Sequence, residues 1–538
     1  IERLEQRIKD GTYKLFKPDF HFSEVYDRKD DQGNPVGGFD IVIGNPPYGV
    51  KIDKDIRDWH ELGSRDSYGV FISTSLKRFL KPKGVLEFIV SDTWLTIKTH
   101  RTLREQVLEK QIYKVVQLHQ DCFDATVNAC ILSITNNVRG ENELIVADLT
   151  NISTRTEIEQ LRRLLYHLEN HIGESTSIYA VYTYSQDLVL SNSNKPIFVG
   201  SPKIFKLMQD TDIQIIEKII SGKKVPVRQI QFNGKTIELV RFVDIAEVKV
   251  GLQTGDNKAY LYQNPEARGS YRNIEIYKDY LLSEKELESI AKNETRRMKV
   301  IEQGIYKTRD ERGFDEDRWF GGRFIVPYDK GGASDTDAGW LPNYYVPTDY
   351  FIDWSKESVH RIKTKKSNKQ GGKIASRFQN IEYYFKTGLT LSYTGQYAPN
   401  LRLNSIGVFD VGGSSIFSNI NKFQILGNFV CKITKYLGKN YIDHTVNFQV
   451  DENKELPLLL KVPEKVIDLV LKIIEKQKLE SKYDYFKNEQ KEIDKLIYAL
   501  YGLDDTDIKE VETWYARRYP KLAHLCDIDR SVPKKKES

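Results

Sequence analysis

Cysteine is scarce. The 538 residues hold four, Cys122, Cys130, Cys431 and Cys526, and no CxxC pair. That argues against a zinc ribbon or a disulfide framework and fits a reducing, cytoplasmic setting. None of the nine histidines stands with cysteine or carboxylate at metal-ligand spacing. No apolar run reaches the ~18 residues of a membrane helix, and no signal peptide is visible. Charge of one sign is also lacking. Lys and Arg number 81 against 76 Asp and Glu, a net +5 that by itself does not argue for nucleic acid. There is no internal repeat. The chain opens on Ile1 rather than Met, which fits a boundary inside a longer protein.

What is present is ordinary globular composition, 40% hydrophobic and 29% charged, long enough for about three domains. The first part alternates strand and helix. Phe39 to Ile43, Val85 to Val90, Tyr113 to Leu118 and Ala129 to Ile134 are apolar strand-like runs. Helical spacing fills Ser67 to Leu80, stopped by Lys81-Pro82-Lys83-Gly84, and Leu103 to Lys110. The pattern predicts an α/β sheet over 1–140, with one of its last two strands antiparallel. Residues 141–195 read as a connector carrying one amphipathic helix, Thr156 to His171. Residues 196–460 are rich in Gly, Tyr and turn dipeptides, which predicts a β-rich (α+β) domain with inserted helices. Residues 461–538 turn helical again, at Val466 to Lys478, Glu492 to Tyr501 and Asp507 to Tyr515, and end in a polar tail. The basic run His360 to Arg377, which includes Lys365 and Lys366, reads either as a solvated face or as a phosphate-contacting strip.

The sharpest feature is Asn45-Pro46-Pro47-Tyr48, set directly after the first strand. Two prolines fix φ and remove two donors. They stiffen a turn at a strand end, where open α/β sheets place their sites. The Asn45 side-chain oxygen and the Pro46 carbonyl are acceptors, and Tyr48 is an aromatic neighbour. This suits a planar substrate with an exocyclic NH₂. Drawing off both hydrogens frees the nitrogen lone pair for attack, and Tyr48 stacks on the ring.

Gly38 to Tyr48 resembles motif IV of the amino-group methyltransferases that use S-adenosylmethionine. The Asn form implies adenine N6 as target. Asp66 and Tyr68 through Gly84, then Gly84 to Leu95, resemble the helix and strand that follow. Asp121-Cys122-Phe123 with Val127 to Ile134 is similar to motif VIII, which makes Phe123 a candidate second face for a flipped base, or else a core residue at a strand edge. Val250 to Asn257, with Thr254 and Gly255, resembles a turn of target-recognition domains in type IIG restriction–methylation enzymes and type I specificity subunits. So do Gly388 to Ser392, Arg402 and Phe409 to Phe417. The resemblance is greatest to the type IIG and BREX-like phage-defence group. It implies a partial Rossmann-like methyltransferase sheet, then a DNA-specificity domain over 196–460 that binds double-stranded DNA, with Thr254, Gly255, Arg402, Lys365 and Lys366 as contacts, and C-terminal helices.

The family's Gly-rich cofactor loop should precede motif IV, and residues 1–44 contain none; Ile1 to Lys17 reads as a polar, helix-like stretch. A missing N-terminal half, or another subunit of a defence system, is the expected source. Mg²⁺ chemistry needs a nuclease. The triplet Glu247-Val248-Lys249 lacks an upstream Pro-Asp, so Mg²⁺ is expected only if a longer parent protein carries a nuclease. Two other functions fit less of the chain: a non-catalytic specificity or defence module, and a protein glutamine methyltransferase, since an amide NH₂ poses the same problem.

Overall fold

The computed structural model describes residues 10, 18–123, 127–140, 143–330, 340–366, 375–392, 395–445, 448 and 450–528. The N-terminal stretch to Lys17, the middle of the basic run (367–374) and the C-terminal tail lie outside them. The chain divides into two compact units, Ile1–Asp212 and Ile213–Ser538.

The first unit is built on a six-stranded sheet. Its strands are β1 (Phe39–Gly44), β2 (Leu80–Ser91), β3 (Lys110–Leu118), β4 (Ala129–Val138), β5 (Leu144–Leu149) and β6 (Ala180–Tyr184), in the order β1-β2-β4-β3-β5-β6. β1 runs parallel to β2, while β4 lies antiparallel between β2 and β3. The expected antiparallel strand is therefore β4. It follows β3 without an intervening crossover helix, which a parallel neighbour would require. The helix Ser67–Thr74 continues through a π-helical turn, Ser75–Phe79, straight into β2. The helix ends at Phe79, just before Lys81-Pro82-Lys83-Gly84 as expected, and that segment then enters β2. It is absorbed as a bulge: Phe39 faces Leu80, but Ile41 faces Val85.

The 141–195 stretch differs from the connector expected there. β5 pairs parallel with β3, and β6 pairs antiparallel with β5, so this stretch extends the sheet. Its helix Ile158–Tyr166 covers the sheet through Leu161 and Leu164, which pack with Val116, Ala147 and Val181. At the other end β1 has a single neighbour among the described residues, and Ile41 and Ile43 are 65% and 78% exposed.

Among the described residues the second unit carries thirteen short strands. In chain order they are β7 (Gln214–Ile220), β8 (Lys223–Phe232), β9 (Lys235–Arg241), β10 (Ala246–Lys249), β11 (Leu261–Gln263), β12 (Arg272–Asn273), β13 (Ile325–Asp329), β14 (Tyr350–Asp353), β15 (Leu389–Ser392), β16 (Asn400–Leu403), β17 (Val408–Phe409), β18 (Ser415–Ser418) and β19 (Pro457–Leu459). They form three sheets, β10-β18-β15-β16, β12-β11-β14-β13-β17 and β19-β9-β8-β7. The C-terminal helices Glu464–Leu479, Glu489–Leu500 and Asp505–Arg518 do not form a separate segment. Tyr344 Oη donates to Gln490 Oε1 at 2.6 Å, and Asn233 Nδ2 donates to Asp507 Oδ2 at 2.7 Å, which ties them to the strand region. No helix among the described residues is long and apolar enough to cross a membrane.

Candidate active site and recognition elements

β1 delivers Asn45 at its C-terminal end. Gly44 pairs with Phe88 of β2, and a Cβ at Gly44 would stand 3.1 Å from the Phe88 ring, which would have to shift by a few tenths of an ångström to admit it. Asn45 is exposed, Pro46 buried and Tyr48 half-buried. The Tyr48 hydroxyl lies 2.6 Å from Asn45 Oδ1 and 2.9 Å from the Ile89 carbonyl oxygen. It has one proton, which serves one acceptor at a time. When that proton goes to Ile89, Asn45 Oδ1 is open to another N–H. Burial pushes the Tyr48 phenol above its ordinary range, so it remains protonated at neutral pH.

The turn is braced by Ser67, whose role the sequence did not single out, and by its neighbours. Ser67, 4% exposed, donates from Oγ to the Pro47 carbonyl at 2.8 Å, and its backbone N–H donates to the Val50 carbonyl. Asp66 accepts from Ser64 Oγ at 2.8 Å and pairs with Lys51, and His100 Nε2 lies 3.4 Å from it. These donors, His100 first, hold the Asp66 carboxyl well below the usual carboxylate range despite its partial burial. The Tyr68 hydroxyl bridges Thr93 and His100, at 3.0 and 3.1 Å. Arg104 donates to the Trp94 and Ile97 carbonyls at 2.6 and 2.8 Å and fixes the loop after β2.

Phe123 comes to this site from far along the chain. Its ring centroid is 5.3 Å from that of Tyr48, with the planes at 60°. The preceding Asp121 anchors it, accepting from Ser153 Oγ at 2.5 Å and from Thr154 N and Oγ1 at 2.9 and 2.8 Å. Burial raises the Asp121 pKa, but these donors outweigh it and hold the carboxyl well below its ordinary value. The structure thus brings together Asn45, Pro46, Pro47, Tyr48 and Phe123: an amide acceptor with two aromatic rings beside it.

In the second unit Thr254 and Gly255 occupy a turn that bonds back onto the end of β17, through Leu252 N to the Phe409 carbonyl at 2.8 Å. Gly255 has φ +72°, and a Cβ there would meet the Ala375 carbonyl oxygen at 2.6 Å. Lys365 reaches this turn and pairs with Asp256 at 2.8 Å; Lys366 beside it is exposed. Thr254, Gly255, Asp256 and Asp410 line a cavity of about 450 Å³. Burial pushes the Asp410 carboxyl up to about 6. Arg402 departs from expectation. It is 5% exposed, its guanidinium donating to Asp329 Oδ1 and Ser392 Oγ, both at 2.8 Å, so it faces the interior rather than a ligand surface. Glu247 of the Glu-Val-Lys triplet is tied to Lys249 at 2.8 Å and to Tyr383 at 2.7 Å. No cluster of three metal-binding side chains occurs among the described residues.

A family model for the Eco57I restriction-modification methylase matches residues 1–123, a span that includes the Asn45 turn and ends on Phe123. Over this segment the chain is similar to Eco57I-type restriction-modification methylases. The type II methyltransferase M.TthHB8I of Thermus thermophilus is 28% identical over 121 residues, covering 20% of this chain and 28% of that protein. The type II methyltransferase M.VspI of a Vibrio species is 22% identical over 247 residues, covering 45% of this chain and 47% of that protein. The chain thus spans less than half the length of these curated relatives. Among solved structures, the type IIL restriction-modification enzyme MmeI in complex with DNA aligns with 90% of this chain and 57% of its own, with 10% identity and a TM-score of 0.43.

Proposed function

We propose that this chain forms the target-base and DNA-recognition part of a site-specific adenine-N6 DNA methyltransferase from a restriction-modification or phage-defence system. The observation that carries the reading is the Asn45 amide with Tyr48 and Phe123 beside it at the end of β1. Adenine must leave the duplex to reach such a site. Its exocyclic amino group then donates to Asn45 Oδ1 and to the Pro46 carbonyl, which has no donor among the described residues. Tyr48 and Phe123 hold the ring, and the Tyr48 proton turns to the Ile89 carbonyl. Both amino hydrogens are then engaged, and the nitrogen lone pair points away from the ring system.

The methyl donor implied by the family is S-adenosylmethionine. The described residues do not fit its binding site: before β1 they contain two short helices, Pro18–His21 and Ser23–Tyr26, and no glycine-rich turn after a strand. This chain's part is therefore to bind and orient the amino group. We assign the cofactor site to a half outside the described residues, with the open edge of β1 as its point of attachment. Target sequence is read by the second unit, with Gly255, Lys365 and Lys366 at the surface; Thr254, 4% exposed with its hydroxyl donating to Asn257 Oδ1 at 2.6 Å, and Arg402 are internal supports rather than the contacts expected of them.

The intact enzyme, given methyl-labelled S-adenosylmethionine and unmethylated mixed-sequence DNA, should place label in N6-methyladenine. Asn45→Ala should abolish it. Label in N4-methylcytosine or in protein glutamine, or label undiminished in Asn45→Ala, would overturn the assignment.

A further inference from the structure

A cavity of about 350 Å³ lies within the second unit, away from the Thr254 turn and sharing no lining residue with its cavity. That volume is at the small end of the range for organic ligands. Its walls include Tyr345, Pro347, Phe351, Leu403 and Ile406, and Lys422 and Lys478 also line it. Lys422 is the unusual member. Among the described residues its ammonium has no ion pair and no hydrogen bond, only the ring of Phe423 at 5.4 Å. Burial alone lowers its pKa, and no carboxylate offsets it. Removing a charge from water without a counter-charge is costly. Lys422 is part-buried, and an anion in the cavity would supply the counter-charge it lacks. Glu284 and Glu288 line the same cavity but do not serve: Glu288 is bonded to Lys292 at 2.8 Å, and Glu284 lies near the Tyr345 phenol.

We propose that this cavity binds a small aromatic anion, its flat body against Tyr345, Phe351 and Pro347 and its phosphate or carboxylate on Lys422. The hydroxyls of Thr387 and Ser405, both in the lining, are donors for the remaining anionic oxygens. This inference is independent of the methyltransferase reading, because no residue of the Asn45 site takes part.

The test is calorimetric titration of the whole chain with adenosine monophosphate, benzoate and uncharged adenosine. Saturable binding of at least one anion is expected, at least tenfold tighter than adenosine. Binding of the nucleotide alone identifies phosphate as the anion, and binding of benzoate alone identifies carboxylate. Lys422→Met should weaken the anion at least tenfold, and Lys422→Arg less than threefold. A second measurement needs no variant: with lysines reductively ¹³C-methylated, the Lys422 signal should titrate at higher pH once the anion is bound. Absence of anion binding at millimolar concentration, equal affinity for adenosine, or an unmoved Lys422 signal would overturn the proposal.

Discussion

Arg402 separates two kinds of argument. By sequence it belongs with the recognition residues; by structure it is a buried partner of Asp329. Its Nη2 donates to Asp329 Oδ1 at 2.8 Å, and the other carboxylate oxygen accepts from Thr390 Oγ1 at 2.5 Å. Replacing Arg402 with Met keeps much of the volume and strands the carboxylate, which is 3% exposed. Removing one partner of a buried pair costs about 3–5 kcal/mol, mostly because the other charge is left unpaired. At about 2–4 °C per kcal/mol for a large domain, the second unit should melt some 6–20 °C lower. Differential scanning calorimetry of the wild-type chain and Arg402→Met reads this directly. The double variant Arg402→Met, Asp329→Asn removes the stranded charge and should recover at least half of the loss. If Arg402→Met melts within 1 °C of wild type while DNA binding falls, the side chain faces DNA and the buried-pair argument fails.

Three further outcomes are expected. Phe123→Ala should remove one stacking face, worth roughly 1–3 kcal/mol, and weaken retention of an extrahelical 2-aminopurine by about five- to 150-fold, measured by its fluorescence. Ser67→Ala should free the Pro47 carbonyl and lower kcat in the intact enzyme by about two- to tenfold, the worth of one hydrogen bond, with KM little changed; Ser67→Thr should restore it. Asp410, raised from 3.8 to about 6, binds a proton in the folded state over a range where the unfolded chain has released it. Its contribution is therefore full below about pH 4 and is lost as pH rises through 6, and Asp410→Asn should flatten that part of the stability–pH curve measured by urea unfolding.

The site was legible where local chemistry decides the outcome. A buried strand followed by Gly and two prolines can do little except end in a stiff turn, and the structure keeps Asn45 and Tyr48 as neighbours there. The Phe123 assignment needed family resemblance, because its approach to Tyr48 depends on Asp121 bonding to Ser153 and Thr154, some thirty residues later. Ser67 was invisible for the same reason: a serine at a helix start looks like a cap until the Pro47 carbonyl is seen above it. β5 and β6 were missed because they lie inside a stretch whose amphipathic helix drew the connector reading. Lys81 to Gly84 ended the helix as read, but their second role, a bulge at the start of β2, depends on pairing with β1 and was not visible. Arg402 shows the limit most plainly. Neither charge nor motif tells whether a guanidinium on a strand points to solvent or to Asp329; strand pairing decides it.

The position of β1 has a mechanical consequence. Its amides on the side away from β2 have no partner among the described residues, so they should exchange with deuterium far faster than those of β2. The Asn45 turn is the direct continuation of that one-sided strand. Prolines restrain motion within the turn but not at Gly44, where it leaves the sheet. How much of the time the amide acceptor and the two rings are held in register is therefore set by whether a strand lies along the outer edge. If the proposed function holds, a strand docked there would act as a splint, coupling assembly to the precision of the Asn45 turn.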